Sequence, residues 1–314
     1  MEAQGKRIRW STRPTKGPYV WTASELCDNA SWQHVWSEQE QKILQNLSEM
    51  VTFTSDAIGA LERQPEARSF LRIIEQAKNV LSYGRGLFLF RGIEIQKFKI
   101  SELTTLLLAV ARMFGSPAIQ NTKGDLIQLI TDRSGLGESG SITQGRRGCA
   151  EMGPHTDSSN IVGLLCVRQA RRGGETRVSS AGALFNELLK DYAHVIGPLC
   201  SGFYFDMSGK NKAGVSEGPL PVFSCEAGKL SCYYNKKRIE VGSEKARVAL
   251  SEVEHESIER LNSLAMATRN SYEFLLEPGD LLLADNRRVL HSRRAYEDWQ
   301  EEERKRLLLR VWIN

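Results

Sequence analysis

The sequence predicts a mostly β protein with helices: a sandwich or barrel decorated by N-terminal helices and by one late helical insertion. Three observations lead there. From residue 161 onward, short β-like runs recur with turn residues between them, as strands of an antiparallel sandwich or barrel do. Helical periodicity is concentrated before residue 120. A single long helical stretch, at about 243–269, interrupts the strand-rich half. The expected organisation is one domain over 1–314, with an irregular arm at 1–36, helical support and the first strands at 37–120, and a β core at 121–314 that carries the insertion.

Taken in order, the arm is polar, broken by Pro14 and Gly17-Pro18, and rich in tryptophan (Trp10, Trp21, Trp32, with Trp36 just beyond). Such an arm covers a core, its own or a neighbour's, which leaves a homo-oligomer open. Ser37-Glu38-Gln39-Glu40 has the form of a capping box, with Ile43, Leu44 and Leu47 on one stripe after it. A helix is expected from Pro65 to Leu81, with Phe70, Leu71, Ile74 and Ala77 as its apolar face, ending at Gly84-Arg85-Gly86. Leu87–Phe90 has the length and continuity of a buried strand. Ser101–Phe114 is again helical and stops at Gly115-Ser116-Pro117. Asp125–Ile130 reads as a strand. Residues 132–153, rich in Gly, Ser and Arg, show no periodicity; a loop of that length in a compact chain suits an active-site lid, with Arg133, Arg146 and Arg147 closing on substrate. Further strands are expected at Ile161–Val167, Thr176–Ser179, Leu220–Phe223, Leu230–Tyr234, Glu273–Leu276, Asp280–Ala284 and Leu307–Ile313. Helices are expected at Ala181–Tyr192 and Ser243–Arg269, the latter with Val253, Ile258, Leu261 and Leu264 inward.

Composition narrows the function. Hydrophobic residues make up 41% and charged ones 25%, enough for a sizeable core in a globular protein. A net charge of +4, spread along the chain, argues only weakly for a polyanionic partner, and with no RNA- or DNA-binding signature in the sequence no nucleic-acid partner is expected. No run approaches the ~18 apolar residues of a membrane span, and the first residues contain no secretory apolar region. The six cysteines form no CxxC pair, so they are expected reduced, with Cys166 and Cys232 in the core. A cytoplasmic location follows by default.

The chemistry concentrates in Gly153-Pro154-His155-Thr156-Asp157-Ser158-Ser159. On an extended segment, His155 and Asp157 project from one face and reach one metal ion. The best third ligand is His291, in Ala284-Asp285-Asn286-Arg287-Arg288-Val289-Leu290-His291. Two imidazoles and a carboxylate make the facial triad of non-heme Fe(II) oxygenases, which leaves coordination positions open. His34, His194 and His255 lie in polar or charged surroundings and read as surface residues. Gly135-Leu136-Gly137-Glu138-Ser139-Gly140 matches GxGxxG, but residues 141–148 make a poor helix start for a pyrophosphate, so it reads as loop.

Further motifs accompany the triad: Pro154–Cys166 followed by Gly173-Gly174-Glu175-Thr176, then Glu277-Pro278-Gly279-Asp280, Asp285-Asn286-Arg287, His291, and Arg306–Trp312. Together they resemble the taurine-dioxygenase-like (clavaminate-synthase-like) family of Fe(II)/2-oxoglutarate-dependent oxygenases. The resemblance implies a double-stranded β-helix, or jelly-roll, core. It implies His155, Asp157 and His291 as iron ligands, Thr176 and Arg306 as the pair holding the distal carboxylate of 2-oxoglutarate, and dioxygen as the second cosubstrate. The residues agree: a guanidinium fork grips a carboxylate bidentately. A strand that alternates Arg306, Leu308, Arg310 and Trp312 against Leu307, Leu309 and Val311 points both arginines into a barrel, where an anion relieves the cost of burying them.

Arg310 stands where the taurine enzyme contacts its substrate's anionic head; here it either binds an acidic group or supports Arg306. Glu151 replaces a family asparagine and Pro154 an aromatic residue, so taurine itself is not expected. Glu151, Arg146, Arg147 and Arg310 are the substrate-side candidates. The implied reaction oxidises a C–H bond of a small polar or carboxylate-bearing metabolite, releasing succinate and carbon dioxide. Hydroxylation is the default, and desaturation or cyclisation would use the same residues; halogenation is disfavoured because Asp157 fills the halide position. The rival readings are a zinc hydrolase on the same three ligands and a barrel that only binds a small anion.

Overall fold

Capping chemistry opens the first helix, in a computed structural model that describes residues 13–50, 55–132, 148–208, 211–226 and 228–314, with only the backbone of 55–58. Thr22 and Glu25 form a capping box for α1 (Ala23–Cys27), and a 3-10 turn at Ala30–Trp32 leads into β1 (Gln33–Val35). Ser37 and Glu40 cap α2 (Glu38–Ser48) in the expected way. Next come α3 (Ser55–Glu62), α4 (Arg68–Tyr83), β2 (Leu87–Arg91), α5 (Ile100–Phe114), β3 (Pro117–Ala118) and β4 (Ile127–Ile130). The second half holds β5 (Met152–His155), β6 (Ile161–Arg168), β7 (Arg172–Gly173), β8 (Thr176–Ser180), α6 (Ala181–Asp191), α7 (Ile196–Ser201), β9 (Phe223–Glu226) and β10 (Lys229–Cys232). It ends with α8 (Lys236–Ala246), α9 (Glu252–Met266), β11 (Ser271–Phe274), β12 (Leu281–Asp285), β13 (Val289–Arg293), β14 (Tyr296–Glu297) and β15 (Leu307–Ile313).

Two sheets face each other as the walls of a double-stranded β-helix. The larger runs β1-β2-β12-β6-β15-β3, with β4 also on β15, and the smaller runs β11-β8-β13-β5. Strand alternation divides the larger sheet cleanly. Phe88, Phe90, Leu281, Leu283, Leu309 and Val311 face outward into a core shared with α2, α4 and α5. Leu87, Leu89, Leu282, Ala284, Leu308 and Trp312 face inward, where they meet Val178 and Val289 of the smaller sheet. A third core lies behind the smaller sheet, where α6 to α9 pack around Leu290. The helices thus cover both outer surfaces and leave the inter-sheet space for the site. Among the described residues no helix is long and apolar enough to cross a membrane. All six cysteines are free, and Cys166, Cys200 and Cys232 are buried.

Several local expectations give way. The described part of the arm is not irregular: β1 pairs in parallel with β2, and Trp21 and Trp32 are buried between the chain's own sheets. A three-residue strand carries too little pattern to be seen in sequence. The late helical stretch splits into α8 and α9, because Arg247 takes a left-handed conformation (φ 57°) and Ser251 with Glu254 opens a new capping box. Val253, in the first turn of α9, is 40% exposed rather than inward. Strand Leu220–Phe223 shifts to Phe223–Glu226, pairing with β10. The GxGxxG segment lies outside the described residues.

Two contacts tie the helical side to the sheet. Glu40 accepts from the Ser37 amide and, at 2.9 Å, from His34 Nε2 on β1. Burial opposes its ionisation, but the Ser37 amide, His34 and the Ser37 hydroxyl outweigh it and hold its pKa below the usual carboxylate value. Gly279 sits at φ 93° with its amide on the Cys166 carbonyl, and a Cβ there would stand 2.1 Å from the Ile93 carbonyl oxygen.

Gly279→Ala is expected to cost about 2–4 kcal/mol, since strain and a backbone clash coincide; denaturant unfolding with an unchanged midpoint would contradict this. A depressed carboxylate pKa adds stability at neutral pH that is lost as pH falls through the folded value. Glu40→Gln is therefore expected to lower the Tm at pH 7 and to flatten the decline on the acid side of the carboxylate's ordinary value of 4.5. A Tm–pH curve parallel to the wild type's would exclude that role.

Candidate metal centre and cosubstrate slot

Pairing between β13 and its two neighbours assembles the site. His291 lies opposite His155 across the β13–β5 pair, and their rings stand 4.3 Å apart between centroids. Asp157 follows β5, held on both sides. Thr156 and Tyr234 exchange hydrogen bonds, the Thr156 amide to the Tyr234 carbonyl at 2.7 Å and the Tyr234 amide to Thr156 Oγ1 at 3.0 Å. Asn286, in the turn between β12 and β13, accepts from the Asp157 amide at 3.0 Å and donates to the Ser159 carbonyl at 3.0 Å. One ligand atom from each of His155, Asp157 and His291 falls within 4.8 Å of the others, and all three residues are buried. Nδ1 of His155 lies 2.9 Å from the Gly153 carbonyl, which can only accept; the proton therefore sits on Nδ1 and Nε2 keeps its lone pair for a metal. This donor set of two imidazoles and one carboxylate fits Fe(II).

β15 supplies the surroundings of Asp157. Trp312 Nε1 donates to its Oδ2 at 3.0 Å, and Arg310 Nη1 approaches Oδ2 at 3.3 Å. Arg310 is otherwise engaged by Gln120 Oε1 at 2.8 Å and Gln128 Oε1 at 2.5 Å. Donors of Arg310 thus reach the Asp157 carboxylate and two glutamines.

Arg306 and Thr176 line the same cavity as the triad, and both are buried. Burial pulls the Arg306 pKa below the ordinary guanidinium value, and Nη1 has no hydrogen-bond partner. Its backbone amide is fixed by Asp298 Oδ1 at 2.8 Å, and its guanidinium lies 5.2 Å from the Tyr296 ring centroid. Glycine is required beside it: Gly174 has φ 82°, and a Cβ there would come within 3.3 Å of Arg306 Nε. A buried, incompletely satisfied fork next to a hydroxyl fits the far carboxylate of a diacid.

On the substrate side, Glu151 does not line the cavity. It pairs with Arg177 Nη1 at 2.8 Å and is half exposed, while Met152 takes the inward position. The cause is a β-bulge: from His291 to Arg293, β13 advances two residues while β5 goes from His155 back to Met152, and the extra residue inverts the alternation. Arg146 and Arg147, and residues 133–147 of the expected lid, lie outside the described residues. Sequence reasoning missed Asn286, Trp312, Gln120 and Arg293. The last was detectable, because residue 293 shares the strand face of His291.

The chain matches the family model described as taurine catabolism dioxygenase TauD, TfdA family over residues 60–312. It is 29% identical over 311 residues to the FR-33289 synthase of Streptomyces rubellomurinus (strain ATCC 31215), covering 96% of this chain and 91% of that protein. It is 26% identical over 255 residues to the taurine hydroxylase-like protein SAT17 of Stachybotrys chartarum (strain CBS 109288 / IBT 7711), covering 79% and 65%. Among solved structures it resembles an asparagine oxygenase in complex with Fe(II), 2S,3S-3-hydroxyasparagine and succinate (TM-score 0.71, 18% identity, 90% of this chain and 93% of that one). It also resembles the non-heme iron oxygenase OrfP in complex with Fe and α-ketoglutaric acid (TM-score 0.61, 16% identity, 90% and 93%). With the family model spanning nearly all of the two sheets, the chain belongs to the TauD/TfdA family, and it is an Fe(II)/2-oxoglutarate-dependent dioxygenase.

Proposed function

We propose that His155, Asp157 and His291 hold Fe(II), that Arg306 and Thr176 hold the distal carboxylate of 2-oxoglutarate, and that the enzyme hydroxylates one C–H bond of a small polar metabolite. The observation that carries this reading is the buried Arg306 guanidinium, whose Nη1 lacks a partner in a cavity bounded by the three ligand side chains. Iron and 2-oxoglutarate together supply the oxidant for the C–H bond, with release of succinate and carbon dioxide. The chain's own residues bind, orient and exclude water. Gly153 fixes the His155 tautomer, and Trp312 and Arg310 orient the Asp157 carboxylate. Ile130, Met152, Leu164 and Leu308 give the cavity apolar walls.

A zinc hydrolase on the same ligands would need a general base near the metal. Among the described residues lining the cavity, Asp157 is the one carboxylate, and it belongs to the triad.

Protein loaded anaerobically with Fe(II) is expected to convert 2-oxoglutarate to succinate on exposure to air, with or without the true substrate. His155→Ala is expected to reduce this to background, and Zn(II) in place of iron to give none. Undiminished succinate from His155→Ala would refute the ligand assignment. Trp312→Phe is expected to weaken Fe(II) affinity about 10-fold, as loss of a hydrogen bond to a metal ligand typically does, while leaving the Tm of metal-free protein within about 2 °C. Unchanged affinity in a metal titration would remove Trp312 from the positioning role.

A further inference from the structure

A third guanidinium in the cavity has no assigned role. Arg293, 6% exposed, lines the same cavity as Arg306 and the triad. Its Nη2 donates to the Gly148 carbonyl at 2.9 Å and to the Ala150 carbonyl, while Nε and Nη1 are buried without partners. Three N–H groups of one charged side chain are therefore unspent. It stands directly opposite Thr176 in the β13–β8 register, and its guanidinium lies 4.5 Å from the centroid of Tyr296, the ring that also carries Arg306 at 5.2 Å. One aromatic face is weak compensation for two buried cations. A carboxylate has about four lone-pair sites and can accept from two guanidiniums and a hydroxyl at once.

We propose that Arg293 is a second cationic anchor of the cosubstrate slot, so that the far carboxylate of 2-oxoglutarate is held between Arg293 and Arg306 with Thr176 beside it. This rests on the reading of Arg306 as a cosubstrate residue and goes beyond it: the slot is dicationic and discriminates by the presence of the far carboxylate. Its backbone anchor on Gly148 and Ala150 fixes the orientation of the free edge, Nε and Nη1. A lysine at this position keeps the charge but cannot span the two carbonyls and the ligand together.

The test is anaerobic calorimetry on Fe(II)-loaded protein with two ligands, 2-oxoglutarate and oxalate. Oxalate chelates iron but has no far carboxylate. Arg293→Gln is expected to weaken 2-oxoglutarate about 10- to 100-fold, the loss typical of a charged hydrogen bond, and to change oxalate less than about 2-fold. Arg293→Lys is expected to lie between the two and serves if the glutamine variant fails to fold. Wild-type affinity for 2-oxoglutarate in the variants, or an equal loss for both ligands, would overturn the proposal. Arg306→Gln separates the two readings: if it weakens 2-oxoglutarate and the Arg293 variants do not, only the second anchor fails, whereas no effect from either removes the slot itself.

Discussion

The site depends on the pairing of one strand, β13, with a neighbour on each side. Across the β5 pair, His291 meets His155; two residues on, across the β8 pair, Arg293 meets Thr176. Because the side-chain period of a strand is two, both positions face the same cavity. On the proposed assignment, the metal end and the carboxylate end of the slot are spaced by one strand repeat, roughly 6.8 Å, which is the scale of a five-carbon diacid. A slip of one residue in this register would send every one of these side chains to the opposite face.

β15 solves a complementary problem. It carries Arg310 and Trp312 through the middle of the protein, with Arg306 just before it, and every one of these residues is buried. One face is saturated with apolar contacts to α5 and its neighbours, so the strand cannot rotate its charges outward without exposing Leu307, Leu309, Val311 and Ile313. The cost of desolvating Arg310 is met internally, by Asp157, Gln120 and Gln128. That of Arg306 is met in part only, by Tyr296. The asymmetry separates the two residues: one guanidinium is engaged by the Asp157 carboxylate and two amides, and the other keeps an unpartnered nitrogen.

Much of this was legible in the sequence because the signals were local. Ser37-x-x-Glu40 made its cap, and the alternation in 306–312 separated the two faces of β15 as the packing does. His-x-Asp with a distant histidine made the cluster. What stayed hidden depends on long-range geometry. Glu151 was placed on the substrate side because it stands where the family has an asparagine, and a bulge set by the partner β13 leaves it outside the cavity. β1 is three residues long and exists because β2 offers it an edge. The break between α8 and α9 hangs on Arg247 adopting φ 57°, which a non-glycine residue seldom announces. Arg293 carried no motif of its own: its place on the strand face of His291 was legible, but its unpartnered nitrogens were not.

Charge in the cavity links the two ends of the slot. Asp157 is the one carboxylate among the described lining residues, against Arg293, Arg306 and Arg310. On the proposed assignment, a divalent cation entering alone would face three guanidiniums with one carboxylate in hand, and that carboxylate already accepts from Arg310 and Trp312. A diacid removes the conflict: one end satisfies Arg306, with Arg293, and the other adds negative charge at the metal. Each ligand then improves the field for the other in a low-dielectric space, and by linkage the gain is reciprocal. On that assignment, the surplus of buried positive charge costs stability in the empty protein and favours metal and diacid bound together.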